Sequence, residues 1–170
     1  MPLLSRRPAL PRAIRAVLQL PSGDRVLAAT GLINDRWAVA SRDALHLVDA
    51  EGHATRHPWS DVDRASLAPE TATVTVFWVV GDTETLVLVG AGAPRFARTL
   101  RERVQSSVVH TENVTLPNGA RVRVALRRAD DGGLLSQVIG DGRVDLSDPE
   151  VAARIDAAEA RVRSAAGLRV

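Results

Sequence analysis

The stretch from Arg36 to Leu67, RWAVASRDALHLVDAEGHATRHPWSDVDRASL, alternates apolar and polar residues in short runs that are separated by turn residues. A period of two is typical of β-strands that bury one face. The turns at Arg42-Asp43 and Glu51-Gly52 are too short for parallel neighbours, which need a crossover of about a dozen residues. The stretch therefore predicts consecutive antiparallel strands.

The same alternation continues on both sides, and it predicts a meander of seven short strands. Their expected ranges are 25–30, 36–41, 44–49, 53–58, 61–67, 72–80 and 84–89. A helix follows, with Pro94 in its first turn, and runs to about Ser107. We expect this helix to cover the open end of the curled meander. The side chains expected to be buried together are Trp37, Leu45, Leu47, Val76, Trp78, Leu86, Leu88, Phe96, Leu100 and Val104.

Two further segments flank residues 24–108. Residues 1–23 predict an amphipathic N-terminal helix and a linker, with Ile14, Val17 and Leu18 packed on the domain. Residues 109–170 predict a small α+β appendage with strands near 108–116, 121–128 and 134–139. Its C-terminal helix should begin after Asp148, because an Asp N-cap followed by Pro is a strong helix start.

Two segments carry a resemblance to a known family. Trp37-Ala-Val-Ala-Ser-Arg-Asp-Ala-Leu-His-Leu is similar to the T-x-x-R-L segment of bacterial pleckstrin-homology-like domains, and His57-Pro-Trp-Ser-Asp-Val-Asp to their I-P-Y-x-D-I segment. Residues 25–108 resemble this family, which includes the GRAM domains, in the order of seven strands and one helix. The resemblance implies a mainly β, α+β fold: an antiparallel barrel capped by a C-terminal helix. The whole chain also resembles a group of actinobacterial proteins of this size, which implies a fold and no activity.

The loop between the first two predicted strands departs from the inositide-binding members of that family. Those members hold a phosphorylated head group with several Lys and Arg side chains, whereas this loop has Arg25 and Arg36 only at its edges and no Lys. Leu32 and Ile33 are expected at an exposed loop tip instead. They suit an apolar contact, either with a partner or with the N-terminal helix.

Composition excludes several functional classes. All 22 basic residues are Arg and the net charge is only +2, which is not the excess expected of a nucleic-acid-binding domain. The absence of Cys excludes disulfides, thiolate zinc sites and Cys nucleophiles, and it fits a cytoplasmic location. No apolar window approaches the length of a transmembrane helix, so no integral membrane segment is expected.

The histidines of the opening stretch allow two interpretations. A two-residue turn at Glu51-Gly52 would place His46 opposite His57, whereas a three-residue turn from Ala50 to Gly52 would point His46 the other way. In neither register does a third ligand stand at metal spacing. We therefore expect surface or half-buried histidines that hold no metal.

Gly90 and Gly92, between a strand and a helix, have the outline of a dinucleotide-binding fingerprint. Arg95 occupies the third glycine position, and Pro94 removes a backbone donor where a phosphate would need one. We therefore expect a glycine-eased corner between strand and helix, and no cofactor.

Arg121, Arg123 and Arg127 alternate with apolar residues and are expected in an exposed row on one face of a strand. This row is either a solvated sheet edge that resists aggregation or a patch for an acidic partner. Single-stranded nucleic acid would require interleaved aromatic residues, which this segment lacks.

These observations favour a non-catalytic cytoplasmic interaction module that binds a protein partner or itself, with no catalytic residue. The expected partner-binding residues are Arg121, Arg123, Arg127, Leu32 and Ile33. An alternative is a peripheral adaptor that contacts an anionic membrane surface through the N-terminal helix. A small-molecule or nucleotide-binding enzyme is the third possibility.

Overall fold

A computed structural model describes residues 10–140 and 144–168 of the chain. The chain divides into two compact units, the first ending at Val104 and the second beginning at Gln105. The first unit contains a seven-stranded antiparallel sheet, and the second contains a three-stranded antiparallel sheet and the C-terminal helix. The predicted mainly β, α+β class is thereby confirmed.

The predicted strands are present, with ends within two residues of their expected positions. In chain order the elements up to the second helix are α1 (Arg12–Val17), β1 (Val26–Leu32), β2 (Trp37–Ser41), β3 (Ala44–Val48), β4 (Ala54–Pro58), β5 (Val62–Ala68), β6 (Thr73–Trp78), β7 (Thr83–Val89) and α2 (Ala93–Ser107). The remaining elements are β8 (Val108–Thr115), β9 (Arg121–Arg128), β10 (Leu134–Gly140) and α3 (Pro149–Ala165).

The predicted closed barrel is wrong, and so is the single meander. The strand order is β4-β3-β2-β1-β7-β6-β5, so the sheet is continued from β1 to β7, and β4 and β5 are its two outer strands. Pro58 ends β4, and a short 3-10 turn at Trp59–Asp61 separates it from β5. The Trp59 indole N–H donates to the carbonyl oxygens of Ser41 and Arg42, at 3.3 and 3.2 Å. This corner leads the chain away from β4 before β5 begins.

The inner face of the large sheet packs against α2. The expected core residues that are buried there are Leu45, Leu47, Val76, Leu86, Leu88, Phe96, Leu100 and Val104. Trp78 packs against this core and is partly buried. Trp37 does not join it, because Ala38 and Ala40 point inward from β2 and strand alternation turns Trp37 outward.

The outer face of the sheet is covered by the N-terminal helix and the residues next to it. Leu18, Val39 and Val48 form a second buried cluster, against which Ile14 and Val17 of α1 pack. The expected packing of the N-terminal helix on the domain is therefore confirmed. As a result β3 is covered on both faces, and all five of its residues are buried.

Two glycines explain the corner between β7 and α2. Gly90 has a φ of +86°, a conformation that glycine adopts without steric strain. A Cβ at Gly92 would lie 2.4 Å from the Ala29 carbonyl oxygen, so that only glycine allows this approach. The strand-to-helix corner predicted from the sequence is confirmed.

The second unit packs α3 on one face of the sheet β10-β9-β8. The Asp148 carboxylate accepts from the backbone N–H groups of Glu150 and Val151 at 2.9 and 3.5 Å, which confirms the predicted N-cap. The buried residues of this core are Val114, Leu116, Val122, Val124, Leu126, Val151, Ile155, Ala158 and Val162.

Replacement of Phe96 by Ala should lower the free energy of unfolding of the first unit by about 3 to 5 kcal/mol, because a fully buried ring leaves a cavity. All three tryptophans lie in the first unit, so urea unfolding followed by their fluorescence reports on it selectively. Arg98→Ala, on the exposed side of α2, is the matched control. Equal midpoints for the two variants would contradict the burial of Phe96.

Candidate functional site

The first unit contains a small open cleft at the end where β7 begins. We call this cleft the mouth. The cleft has a volume of about 130 Å³ and is lined by Arg36, Leu47, Asp49, His53, Thr55, His57 and Glu84. These residues come from the connections between β1 and β2 and between β3 and β4, and from β3, β4 and β7. The lining is mostly polar, on a unit whose interior is apolar.

Two charged contacts order the mouth. Arg36 Nη2 donates to Glu84 Oε1 at 2.7 Å, which ties the β1–β2 connection to β7. Asp49 accepts from the backbone N–H of His53 at 2.7 Å, and its second oxygen lies 3.1 Å from His53 Nδ1. The backbone N–H of His53 is the main reason that the pKa of Asp49 lies below its ordinary value. Asp49 is therefore a carboxylate at neutral pH.

The loop after Asp49 decides between the two histidine registers. Gly52 has a φ of +88° and ends a three-residue loop, a common geometry for hairpins of this length. β3 and β4 consequently pair Leu45 with His57 and His46 with Arg56. His46 and His57 therefore point to opposite faces of the sheet, as the three-residue turn predicts.

His57, which lines the mouth, contacts the ring of Trp78. Their ring centroids are 4.4 Å apart, with an interplanar angle of 30°. Burial lowers the pKa of His57, although the carboxylates of Glu84 and Asp61 act in the opposite direction. His57 is therefore a neutral imidazole at pH 7, with one ring nitrogen that donates a hydrogen bond and one that accepts.

His46 is fully buried on the other face, so its expected place at or near the surface is wrong. Its Nε2 lies 3.1 Å from Ser41 Oγ, which in turn lies 2.8 Å from Asp24 Oδ2. Burial lowers the pKa of His46, and only partial compensation comes from Asp24. The cover over the outer face of β3, which strand alternation alone does not reveal, explains the error.

Asp24, Ser41 and His46 contact one another in an order that suits a structural role and does not suit nucleophilic catalysis. In a hydrolase the imidazole lies between the carboxylate and the serine, so that it can accept the hydroxyl proton. Here the serine lies in the middle, is fully buried, and also accepts from the backbone N–H of Ala44 at 3.0 Å. The three side chains thereby fasten the β2–β3 turn to the segment before β1.

The three arginines of the predicted row differ in their exposure. Arg121 is exposed and Arg123 is half-buried, but Arg127 is only 1% exposed and donates from Nη2 to Ser107 Oγ at 2.6 Å. The expected exposure of Arg127 is wrong. β9 is also the central strand of its sheet, so it is not an edge that charge protects from aggregation.

Arg121 and Arg123 both contribute to a wider cleft in the second unit. The cleft has a volume of about 450 Å³ and is lined by Asn113, Val114, Thr115, Arg121, Val122, Arg123 and Ile139. Asn113 and Thr115 pair with Arg123 and Arg121 across β8 and β9. Two guanidinium groups beside an amide and a hydroxyl favour an anionic ligand group.

Leu32 and Ile33 have different environments. Leu32 is 4% exposed and belongs to the inner core, so its expected exposure is wrong. β1 continues two residues further than predicted, and its alternation carries Leu32 inward. Ile33 is 47% exposed at the turn that follows, as expected.

In residues 10–140 and 144–168, no three His, Cys, Asp or Glu side chains are grouped so that they could hold a metal ion. No helix in this part of the chain combines the length and apolar character needed to cross a bilayer. Comparisons with protein-family models, with curated proteins and with solved structures find no match.

The free energy of unfolding of the first unit should fall as the pH falls from about 7 through 6.5, the ordinary pKa of His. The pKa of His46 and that of His57 are lowered in the folded state. The unfolded chain therefore binds protons first, and acid favours unfolding. Urea unfolding at a series of pH values, followed by tryptophan fluorescence, measures this slope.

His46→Gln should reduce this slope without abolishing it, because His57 titrates in the same direction. His53→Gln is the control, since the His53 side chain is 82% exposed. An unchanged slope in the His46 variant would show that its burial does not contribute to acid sensitivity.

Arg127→Ala should lower the stability of the second unit by about 1 to 3 kcal/mol, because it removes a buried charge-assisted hydrogen bond and packed methylene groups. Arg121→Ala, at an exposed position of the same strand, should change it by about 0.5 kcal/mol or less. Amide hydrogen exchange in β8, β9 and β10 measures the difference. Equal exchange in the two variants would contradict a structural role for Arg127.

Proposed function

We propose that the chain is a non-catalytic cytoplasmic interaction module that binds a protein partner at the mouth of the first unit. The observation that carries this proposal is Ile33, an apolar side chain that is 47% exposed in the β1–β2 connection, which also contributes Arg36 to the lining of the polar cleft. Exposed apolar groups beside a concave surface are a recurring feature of binding sites. Val80, in the connection between β6 and β7, is 88% exposed and is a second exposed apolar side chain in the connections of this unit.

The Ile33 tip is held in place by its backbone. The Ile33 N–H donates to the Val87 carbonyl oxygen at 3.2 Å, and the Leu32 N–H donates to the Arg36 carbonyl oxygen at 2.8 Å. Asn34 and Asp35 form the turn with φ values of +60° and +55°. A fixed apolar tip loses little conformational entropy on binding, which favours affinity.

The polar lining of the mouth indicates the chemistry of the partner. Asp49 is ionised and its side chain is 43% exposed, whereas the Arg36 guanidinium is engaged by Glu84. Asp49 accepts from the backbone N–H groups of His53 and Glu51 and contacts His53 Nδ1, and the two oxygens of a carboxylate can accept about four hydrogen bonds in all. We therefore expect a partner segment with an apolar side chain for Ile33 and an adjacent donor or cation for Asp49.

The order of seven strands followed by α2 supports a pleckstrin-homology-like assignment for the first unit. It does not support recognition of a phosphorylated head group in the β1–β2 turn, because Arg36 is paired with Glu84. Contact with an anionic membrane through α1 is not proposed either. Ile14, Val17 and Leu18, which would have to insert, pack on the outer face of the sheet.

The cleft of the second unit supports a different partner chemistry. Arg121 and Arg123 at its wall would attract an acidic segment. Because it lies on the other unit, this cleft is the alternative location of the partner site, and the experiment below separates the two.

A photo-crosslinking amino acid placed at position 33 should capture one defined partner in living cells, and the same group at position 67 or 121 should not. Leu67 is the matched control, because it is 49% exposed and aliphatic. With the purified partner, Ile33→Ser should raise the Kd about tenfold or more, since one buried apolar side chain contributes about 1.5 to 3 kcal/mol. Leu67→Ser should leave the Kd unchanged.

Two outcomes would contradict the proposed site. A crosslink at position 121 without one at position 33 would place the partner on the arginine cleft. An equal loss of affinity in the Ile33 and Leu67 variants would show that neither side chain marks a specific surface.

A further inference from the structure

The outer strands of the two sheets differ in how they resist pairing with another strand. An exposed edge offers free backbone groups, and proteins protect such edges with charge, proline or a β-bulge. β4 carries Arg56 and Pro58, β5 carries Asp63 and a bulge, and β8 carries Glu112 and a bulge. Each of these three outer strands has at least two protective features.

β10 is an outer strand that has none of these features. Its seven residues, Leu-Leu-Ser-Gln-Val-Ile-Gly, contain no charge and no proline. Its pairing with β9 runs without a bulge from Leu134 to Gly140. The six residues before Gly140 are all half-buried, so residues 10–140 and 144–168 do not fully enclose them.

The apolar cover on the sheet is also incomplete next to β10. α3 packs chiefly on β8 and β9. Leu134 and Val138 lie on the same face as α3, at the margin of the apolar cluster, and remain partly exposed. Leu135 and Ile139 lie on the opposite face and are half-buried too. A strand added beside β10 would therefore cover apolar side chains on both faces.

We propose that β10 pairs with β10 of a second copy of this chain, in antiparallel orientation, to form a continuous six-stranded sheet. A two-fold axis makes such an interface self-complementary. Two seven-residue strands overlap fully only when their central residues, Gln137 and the partner's Gln137, lie opposite each other.

This register matches apolar side chains on the face that carries Leu135 and Ile139. It places Leu135 opposite the partner's Ile139 on one face, and Ser136 opposite the partner's Val138 on the other. A register centred on Ser136 would instead place Leu135 opposite the partner's Gln137 and would shorten the overlap. Leu135 and Ile139 lie symmetrically about Gln137 and are both apolar, so a second copy in this register covers each with an apolar side chain; this is why we commit to a second copy and not to a strand of another protein. The proposal uses only the second unit and is independent of the mouth.

Sedimentation equilibrium of the full chain tests the proposal. The wild-type protein should dimerise reversibly, and Gln137→Glu should raise the dimer Kd by about tenfold or more, because like charges would lie directly opposite each other. Gln137→Lys should have the same effect. An equimolar mixture of the two variants should dimerise again, because a carboxylate would then face an ammonium group. Native mass spectrometry identifies the mixed dimer.

Thr111→Glu is the matched control. Thr111 pairs with Ala125, which pairs with Gln137, so the change introduces the same charge in the same row of the sheet at its other edge. This variant should dimerise like the wild type, and far-UV circular dichroism checks that every variant is folded.

Three results would overturn the proposal. The first is a wild-type chain that stays monomeric up to millimolar concentration. The second is a mixture of the Gln137→Glu and Gln137→Lys variants that fails to dimerise although both are folded, and the third is a Thr111→Glu variant that dissociates as Gln137→Glu does. A wild-type monomer that instead crosslinks from position 137 to a different protein would assign this edge to another partner.

Discussion

The short contact between β1 and β7 determines the arrangement of the first unit. β1 pairs with β2 along most of its length, whereas its ladder with β7 consists of Gly31 with Val89 and Leu32 with Leu88, next to the hydrogen bond from the Ile33 N–H to the Val87 carbonyl oxygen. The Thr30 hydroxyl adds a hydrogen bond to the Val89 carbonyl oxygen at 2.9 Å. Gly31 allows a close approach there, since a Cβ at this position would lie 3.0 Å from a methyl group of Val89, which would have to shift. This junction joins a four-stranded and a three-stranded meander into one sheet, and both contribute to a single core.

The mouth is a consequence of the same junction. Because β7 and β1 are antiparallel and meet near Leu32, the earlier part of β7 runs past the β1–β2 turn, and Glu84 lies beside Arg36. Leu32 is the last residue of β1 and belongs to the buried core. The next residue, Ile33, lies in the turn that follows and is exposed. The polar cleft and the exposed Ile33 thus both involve the β1–β2 connection, which lies beside the start of β7.

The sequence predicts the elements well, because periodicity, turn residues and caps such as Asp148 are local properties. The pairing of consecutive strands within β1–β4 and within β5–β7 agrees with the predicted meander, but the break between β4 and β5 and the β1–β7 junction could not be predicted, because short antiparallel turns are compatible with either arrangement. Two additional residues in β1 moved Leu32 from an expected loop tip into the core. Alternation also assigns residues to two faces without showing whether the second face meets water. His46 on β3 and Arg127 on β9 both lie on faces that the tertiary structure covers, and each is buried with a polar contact to a serine.

The second unit reverses the usual distribution of charge among strands. A central strand is normally the apolar one and the outer strands are charged. Here the central strand β9 carries four arginines, and the outer strand β10 carries no charge. From the sequence alone β10 resembles an interior strand and β9 an edge, and the strand order contradicts both. The contradiction disappears for β10 if another strand lies beside it, because its composition is then that of an interior strand. The sequence of β10 is in this sense adapted to a sheet wider than the one that a single chain forms.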